Sequence, residues 1–106
     1  AAELRQKIGC INIVKGDYAK AQAVLIECIT DQKEEYGDAS PLLFTTLYNL
    51  GVCLHHMQRH ELSLSTFLKA LDSLNSTKDD IRIGYVQFWI GKEYHEILDY
   101  SRPIGM

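Results

Sequence analysis

The chain has 106 residues, 46% of them apolar and 24% charged, with a net charge of −3 when its four histidines are counted neutral. That balance belongs to one folded domain, not a disordered segment. It lacks both the basic face of a duplex-binding protein and the polybasic run that reads an anionic membrane.

Helical periodicity dominates from the start. Leu4, Ile8, Ile11 and Cys10 or Val14 recur at three and four, the spacing of one helix face. Gly16-Asp17 breaks this pattern, and Asp17 is placed to cap a second helix with Ala21, Val24, Leu25, Cys28 and Ile29, running to about Tyr36. Gly37 is a terminator, and Ser40-Pro41 restarts the chain with Pro41 suited to a first helical turn. Leu43, Leu47, Leu50, Leu54 and Met57 then define a third helix. After a polar corner at Gln58-Arg59-His60 comes a fourth, with Leu62, Leu64, Phe67, Leu68, Leu71 and Leu74. Ser76 and Thr77 stand at capping-box spacing from Asp79 and Asp80. A fifth helix carries Ile83, Val86, Ile90, Tyr94 and Ile97 or Leu98; Asp99 is placed to cap a sixth, whose course Pro103 would disturb. No segment sustains the alternation of a strand, and no low-complexity linker divides the chain.

No apolar stretch approaches the roughly 18–20 residues that span a bilayer. No basic, apolar and small-residue leader pattern is visible. A cytoplasmic protein without membrane insertion or nucleic-acid partner is expected. Cys10, Cys28 and Cys53 are odd in number, widely spaced and set in apolar helical patterns, so they read as reduced, buried thiols. Ala1 falls inside the first helical pattern and Gly105-Met106 closes no element, which points to a piece of a longer protein.

Self-similarity is the strongest signal. Aligning Gly9, Gly51 and Gly91 gives offsets of 42 (9 to 51) and 40 (51 to 91). Ile8-Gly9, Leu50-Gly51 and Ile90-Gly91 then coincide, as do Asp17-Tyr18 and Asp99-Tyr100. Ala21, Leu25 and Cys28 fall opposite Ser63, Phe67 and Ala70. Two antiparallel helices approach closely where they cross, so a glycine on one and small residues on the other remove bulk at the contact.

This pattern resembles the tetratricopeptide repeat. Leu47, Leu50, Gly51, Leu54, Ser63, Phe67 and Ala70 fit all seven hallmark sites in character. The first copy departs at Arg5 and Asn12, and the third at Gln87 and Pro103. The spacing exceeds the usual 34 or so and is similar to the kinesin light chain and cell-polarity adaptor branch. The resemblance implies an all-α, right-handed superhelix of antiparallel helix pairs. It would form one domain over 1–106, with repeats at about 2–39 and 40–76 and a partial one at about 77–106. It also implies a non-enzymatic scaffold or adaptor that holds a peptide or short helix in a concave groove lined by the first helices.

The groove sites carried over are Glu3, Gln6, Lys7, Cys10 and Ile13; Thr45, Tyr48, Asn49, Val52, His55 and His56; and Tyr85, Phe88, Trp89, Lys92, His95 and Glu96. Asn49 lies in a Leu-Tyr-Asn-Leu-Gly motif at 47–51 that is similar to one frequent in the family. Its amide can donate to and accept from a peptide backbone. Tyr85, Phe88, Trp89 and Lys92 share one helix face as aromatic anchors. The set that grips a carboxylate end in co-chaperone members corresponds to Gln6, Cys10, Asn49, Tyr85 and Trp89, where only Asn49 agrees, so that ligand is disfavoured. Alternatives are a structural or self-associating segment with uncovered repeat ends, and a peptide-sensing regulatory domain.

Other chemistry has little support. His56 and His60 are four apart, but His60 sits at the corner between helices, so a solvated pair is expected and no metal site. Phosphate-binding glycine loops and nucleophile motifs are missing. Glu34-Glu35 and Asp79-Asp80 read as solvated or capping acids, so no cofactor and no catalysis are expected.

Overall fold

The structure is a computed structural model and describes residues 2–37, 43–74 and 81–101. Among them the fold is all-helical: α1 (Ala2–Lys15), α2 (Tyr18–Tyr36), α3 (Leu43–His56), α4 (His60–Asp72) and α5 (Ile81–Ser101). The expected roles of Ser40, Pro41, Ser76, Thr77, Asp79, Asp80 and Pro103 lie outside the described residues.

Each helix packs chiefly on the next in the chain, and α1 also touches α3. Two apolar clusters follow one another along this series. Leu25, Leu50 and Leu54 join α2 to α3, with Ile13 of α1 against them. Leu43, Phe44, Leu47, Phe67, Ala70, Leu74 and Val86 join α3, α4 and α5. Ile29 packs on both clusters, so the core is a row of contacts between neighbouring helices and not one shared centre.

The corners are built alike. Asp17 caps α2 by accepting from the Lys20 amide at 3.4 Å. The Gly16 amide donates to the Ile13 carbonyl and the Asp17 amide to that of Asn12. In the second corner the Gln58 amide donates to His55 and the Arg59 amide to Leu54, the same pattern one repeat later. Gly16 has φ 84°, and its counterpart Gln58 is left-handed too at φ 65°. A side chain there costs about 1 kcal/mol.

The glycine register holds at two of its three positions. A Cβ on Gly9 would lie 2.7 Å from the Leu25 side chain, and one on Gly51 would lie 2.7 Å from the Phe67 ring. Ser63 tightens the second crossing by donating from Oγ to the Gly51 carbonyl at 2.8 Å. Gly91, expected to be a third crossing, meets nothing within 4 Å. The reason is local: α5 continues through Asp99 and Tyr100 to Ser101, so these residues do not repeat the Asp17-Tyr18 corner, and no described helix folds back onto Gly91.

Two further expectations change. The Leu4, Ile8, Ile11 and Val14 stripe of α1 is exposed, whereas Gly9 and Asn12 are buried. Neighbours α2 and α3 cover α1 from one side, and that side is not the apolar stripe. The polar departures of this copy find partners: Asn12 Nδ2 donates to the Ile8 carbonyl, and Arg5 pairs with Asp31 across to α2. On α5, Val86 is buried as expected, but Tyr94 and Leu98 are exposed. That helix has 21 residues against 13 in α4, so its last turns outrun the neighbour that covers its start.

These crossings predict a graded alanine series, read by urea unfolding. Gly51→Ala should cost about 2 kcal/mol, because an aromatic ring cannot yield at 2.7 Å. Gly9→Ala should cost about 1 kcal/mol, since a leucine end can turn aside. Gly91→Ala should stabilise by about 0.5–1 kcal/mol through helix propensity alone.

Candidate functional site

The first helices touch one another through the residues carried over from the repeat pattern. Asn49 Nδ2 on α3 donates to Cys10 Sγ on α1 at 3.1 Å. On the other flank, Trp89 Nε1 on α5 donates to the Tyr48 hydroxyl at 2.8 Å. His55 meets Trp89 edge-on at 5.1 Å between ring centroids. A continuous face therefore runs from α1 over α3 to α5. Tyr48, Asn49, Val52 and His55 are all half-buried along it, as are Gln6, Cys10 and Ile13.

Trp89 is fixed from several sides. Its ring stacks on Phe67 at 5.5 Å and 13°, and Phe67 in turn meets Tyr48 edge-on at 5.7 Å. The expected aromatic set thus divides. Trp89 turns inward against the second repeat, while Tyr85 and Phe88 remain more than half exposed. Lys92 spans both parts, its Nζ lying 5.2 Å from the Trp89 ring centre and 5.8 Å from that of Phe88, within cation–π range. Lys7, Thr45, His56 and His95 are exposed and Glu96 is half-buried; the Glu3 side chain is outside the described set. His56 stacks on Tyr18 at 5.0 Å, away from Trp89. Asn49 is partly committed to the helix–helix contact. Its Oδ1 and second amide hydrogen have no partner among the described residues.

His60 is not the solvated corner residue expected from its position. It is buried, and its Nδ1 lies 2.6 Å from Glu93 Oε2. The other imidazole of this group is His55, not His56: its Nδ1 lies 2.5 Å from Glu93 Oε1. Glu93 is completely buried. The sequence does carry a trace of this, because residue 93 falls seven after Val86 on the inner face of α5, where an apolar residue is the norm. What it could not give is the meeting of residues 55, 60 and 93 across two repeats.

The cysteines have no disulfide partners. Burial raises the Cys10 and Cys53 thiols above their usual range, and Cys53 donates from Sγ to the Tyr18 carbonyl at 3.0 Å. Such thiols stay protonated and act as packing groups. A shallow depression of about 380 Å³ lies along α4 between Glu61, Leu64, Ser65, Leu68, Lys69 and Asp72, apart from the first-helix face.

Paired helices with glycine crossings, repeated corners and a joined first-helix face define a helical repeat protein. The chain belongs to the tetratricopeptide repeat family, whose pattern matches residues 4–76, that is α1 to α4. It is 29% identical over 79 residues to "Histone-binding protein N1/N2" of Xenopus laevis, a match covering 74% of this chain and 13% of that protein. No solved structure gives a significant match.

Removing the Tyr48 hydroxyl tests the clamp on Trp89. Tyr48→Phe should cost about 1 kcal/mol, since the indole N–H loses its acceptor in a half-buried setting; Trp89, the only tryptophan, reports the transition by fluorescence. Alkylation at pH 8 should label Cys10 and Cys53 more slowly than a free thiol and reach the free rate in urea.

Proposed function

We propose that this chain is a protein-binding adaptor module that receives an extended peptide or short helix along the face formed by α1, α3 and α5. The observation that carries this reading is the continuity of that face: Cys10 to Asn49, and Tyr48 and His55 to Trp89. Asn49 lies at its middle with an amide oxygen and hydrogen left for a peptide backbone. Tyr85 and Phe88 offer exposed rings at one edge, where apolar side chains of the partner would dock. Trp89, Tyr48 and Val52 form the floor, and Lys92 supplies a cation beside the rings. Tetratricopeptide repeats generally mediate protein–protein interaction, which agrees with this role and with a chain that catalyses nothing. In a complete superhelix such a face is concave. The Xenopus laevis relative makes a histone one partner to test. No described helix is long and apolar enough to cross a membrane, and the reading places the protein in an aqueous compartment, cytoplasmic or nuclear.

A second reading, stacking or self-association, rests on Leu4, Ile11 and Val14 of α1, all more than half exposed. An unpaired repeat face of this kind is normally covered by another repeat.

The two readings predict different solution behaviour. As a peptide binder, the chain sediments as a monomer and takes up peptides selected from a displayed library, or a histone. Asn49→Ala and Phe88→Ala should then weaken that binding about tenfold or more. If folded Asn49→Ala binds as well as wild type, the asparagine has no such role. Reversible dimerisation that Val14→Lys abolishes favours stacking instead.

A further inference from the structure

Glu93, His55 and His60 pose an electrostatic question that peptide binding does not answer. Glu93 is fully buried, and its recorded ion pairs among the described residues are with these two imidazoles. Its chain neighbour Lys92 is committed to the Phe88 and Trp89 rings. A carboxylate removed from water needs a compensating charge, and imidazole is only a part-time cation near neutral pH.

Gln58 sharpens the question. Its Oε1 lies 3.3 Å from His60 Nε2. An amide oxygen only accepts, so in the tautomer that donates from Nε2 to it the Nδ1 lone pair of a neutral His60 points at Glu93 Oε2, 2.6 Å away. Two acceptors that close require a cation between them: either a proton or a metal ion.

We propose that His55 Nδ1, His60 Nδ1 and one Glu93 oxygen form a binding site for a zinc-class divalent ion that ties α5 to the second repeat. One ligand atom from each of the three residues lies within 4.8 Å of the others, and the residues come from three different helices. Two imidazoles and a carboxylate are a zinc donor set, with the fourth position left for water or a partner's group. Calcium and magnesium prefer oxygen ligands and do not suit it. The Gln58 contact supplies the outer-shell acceptor that a ligating histidine commonly has on its other nitrogen, fixing its tautomer. The present nitrogen–oxygen separations of 2.5 and 2.6 Å are hydrogen-bond distances. Bonds of about 2.0–2.1 Å to a tetrahedral ion set the donors about 3.3 Å apart. Uptake thus replaces these two hydrogen bonds, moves the carboxylate outward by under about 1 Å and draws in any donor pair that lies farther apart, up to 4.8 Å.

The site shares His55 with the proposed binding face but does not depend on that reading, and its test uses no peptide. Zinc and cobalt(II) are titrated into the whole chain under a non-chelating reductant, followed by calorimetry and by the cobalt spectrum. The expected result is one ion per chain, a thermal midpoint that rises with zinc, and tetrahedral cobalt bands without the thiolate charge-transfer absorption of a cysteine site. Glu93→Gln and His55→Ala should each weaken uptake about 100-fold or more, Gln58→Ala about tenfold, and His56→Ala should leave it unchanged. His55 is less buried than Glu93, so His55→Ala remains informative if Glu93→Gln fails to fold. No uptake by roughly 100 µM zinc overturns the proposal in favour of a proton-bridged clasp. Uptake that survives His55→Ala, depends on His56 or shows thiolate absorption overturns it too.

Discussion

The structure depends on the absence of a side chain at residue 51. With no Cβ there, the Phe67 ring reaches the backbone of α3, and α3 and α4 close at van der Waals distance. Phe67 is fully buried, and its other surfaces are not idle: Tyr48 meets it edge-on and Trp89 stacks on it. The ring that locks the two helices of one repeat is therefore also the seat for the first helix of the next. The tie from Ser63 to the Gly51 carbonyl fixes where along the helices this contact occurs. Gly9 and Leu25 repeat the arrangement one step earlier with a softer side chain.

Polar groups do much of the positioning between these apolar contacts. Thr46 and Cys28 meet at 3.7 Å between α3 and α2, Asn49 reaches Cys10 and Tyr48 holds Trp89. Leucine and isoleucine contacts alone would tolerate sliding, because apolar attraction has little directionality. Hydrogen bonds in a low-dielectric interior lose heavily when misaligned. The three cross-helix bonds thus favour a single register, and the first-helix face inherits that order. On the proposed reading, a face built this way needs little rearrangement to receive a partner, which lowers the entropic cost of association.

The family places this chain among repeats that generally mediate protein–protein interaction. In the proposed binding mode, half-buried residues such as Asn49 and Val52 form the floor, while the exposed Tyr85 and Phe88 form its edge. The Glu93 cluster lies under the same face, and His55 belongs to both. Whatever cation occupies the cluster acts on the packing of α5 against α3 and α4, and so on the position of Trp89.

By itself the sequence determined the helices, their corners and the family. These follow from short-range physics: three-and-four spacing sets a helix face, Asp17 caps a helix, and Gly16 accepts a left-handed turn. A glycine paired with a large residue across the corner marks a crossing, so Gly9 and Gly51 were also legible. Only the tertiary structure decided which faces are covered. The Leu4 to Val14 stripe obeys the periodicity yet is exposed, because burial depends on which neighbour arrives and spacing cannot name one. The inward turn of Trp89, the open side of Gly91 and the meeting of His55, His60 and Glu93 have the same cause. Each joins or separates residues of different helices, and their distances are set by how whole helices stack.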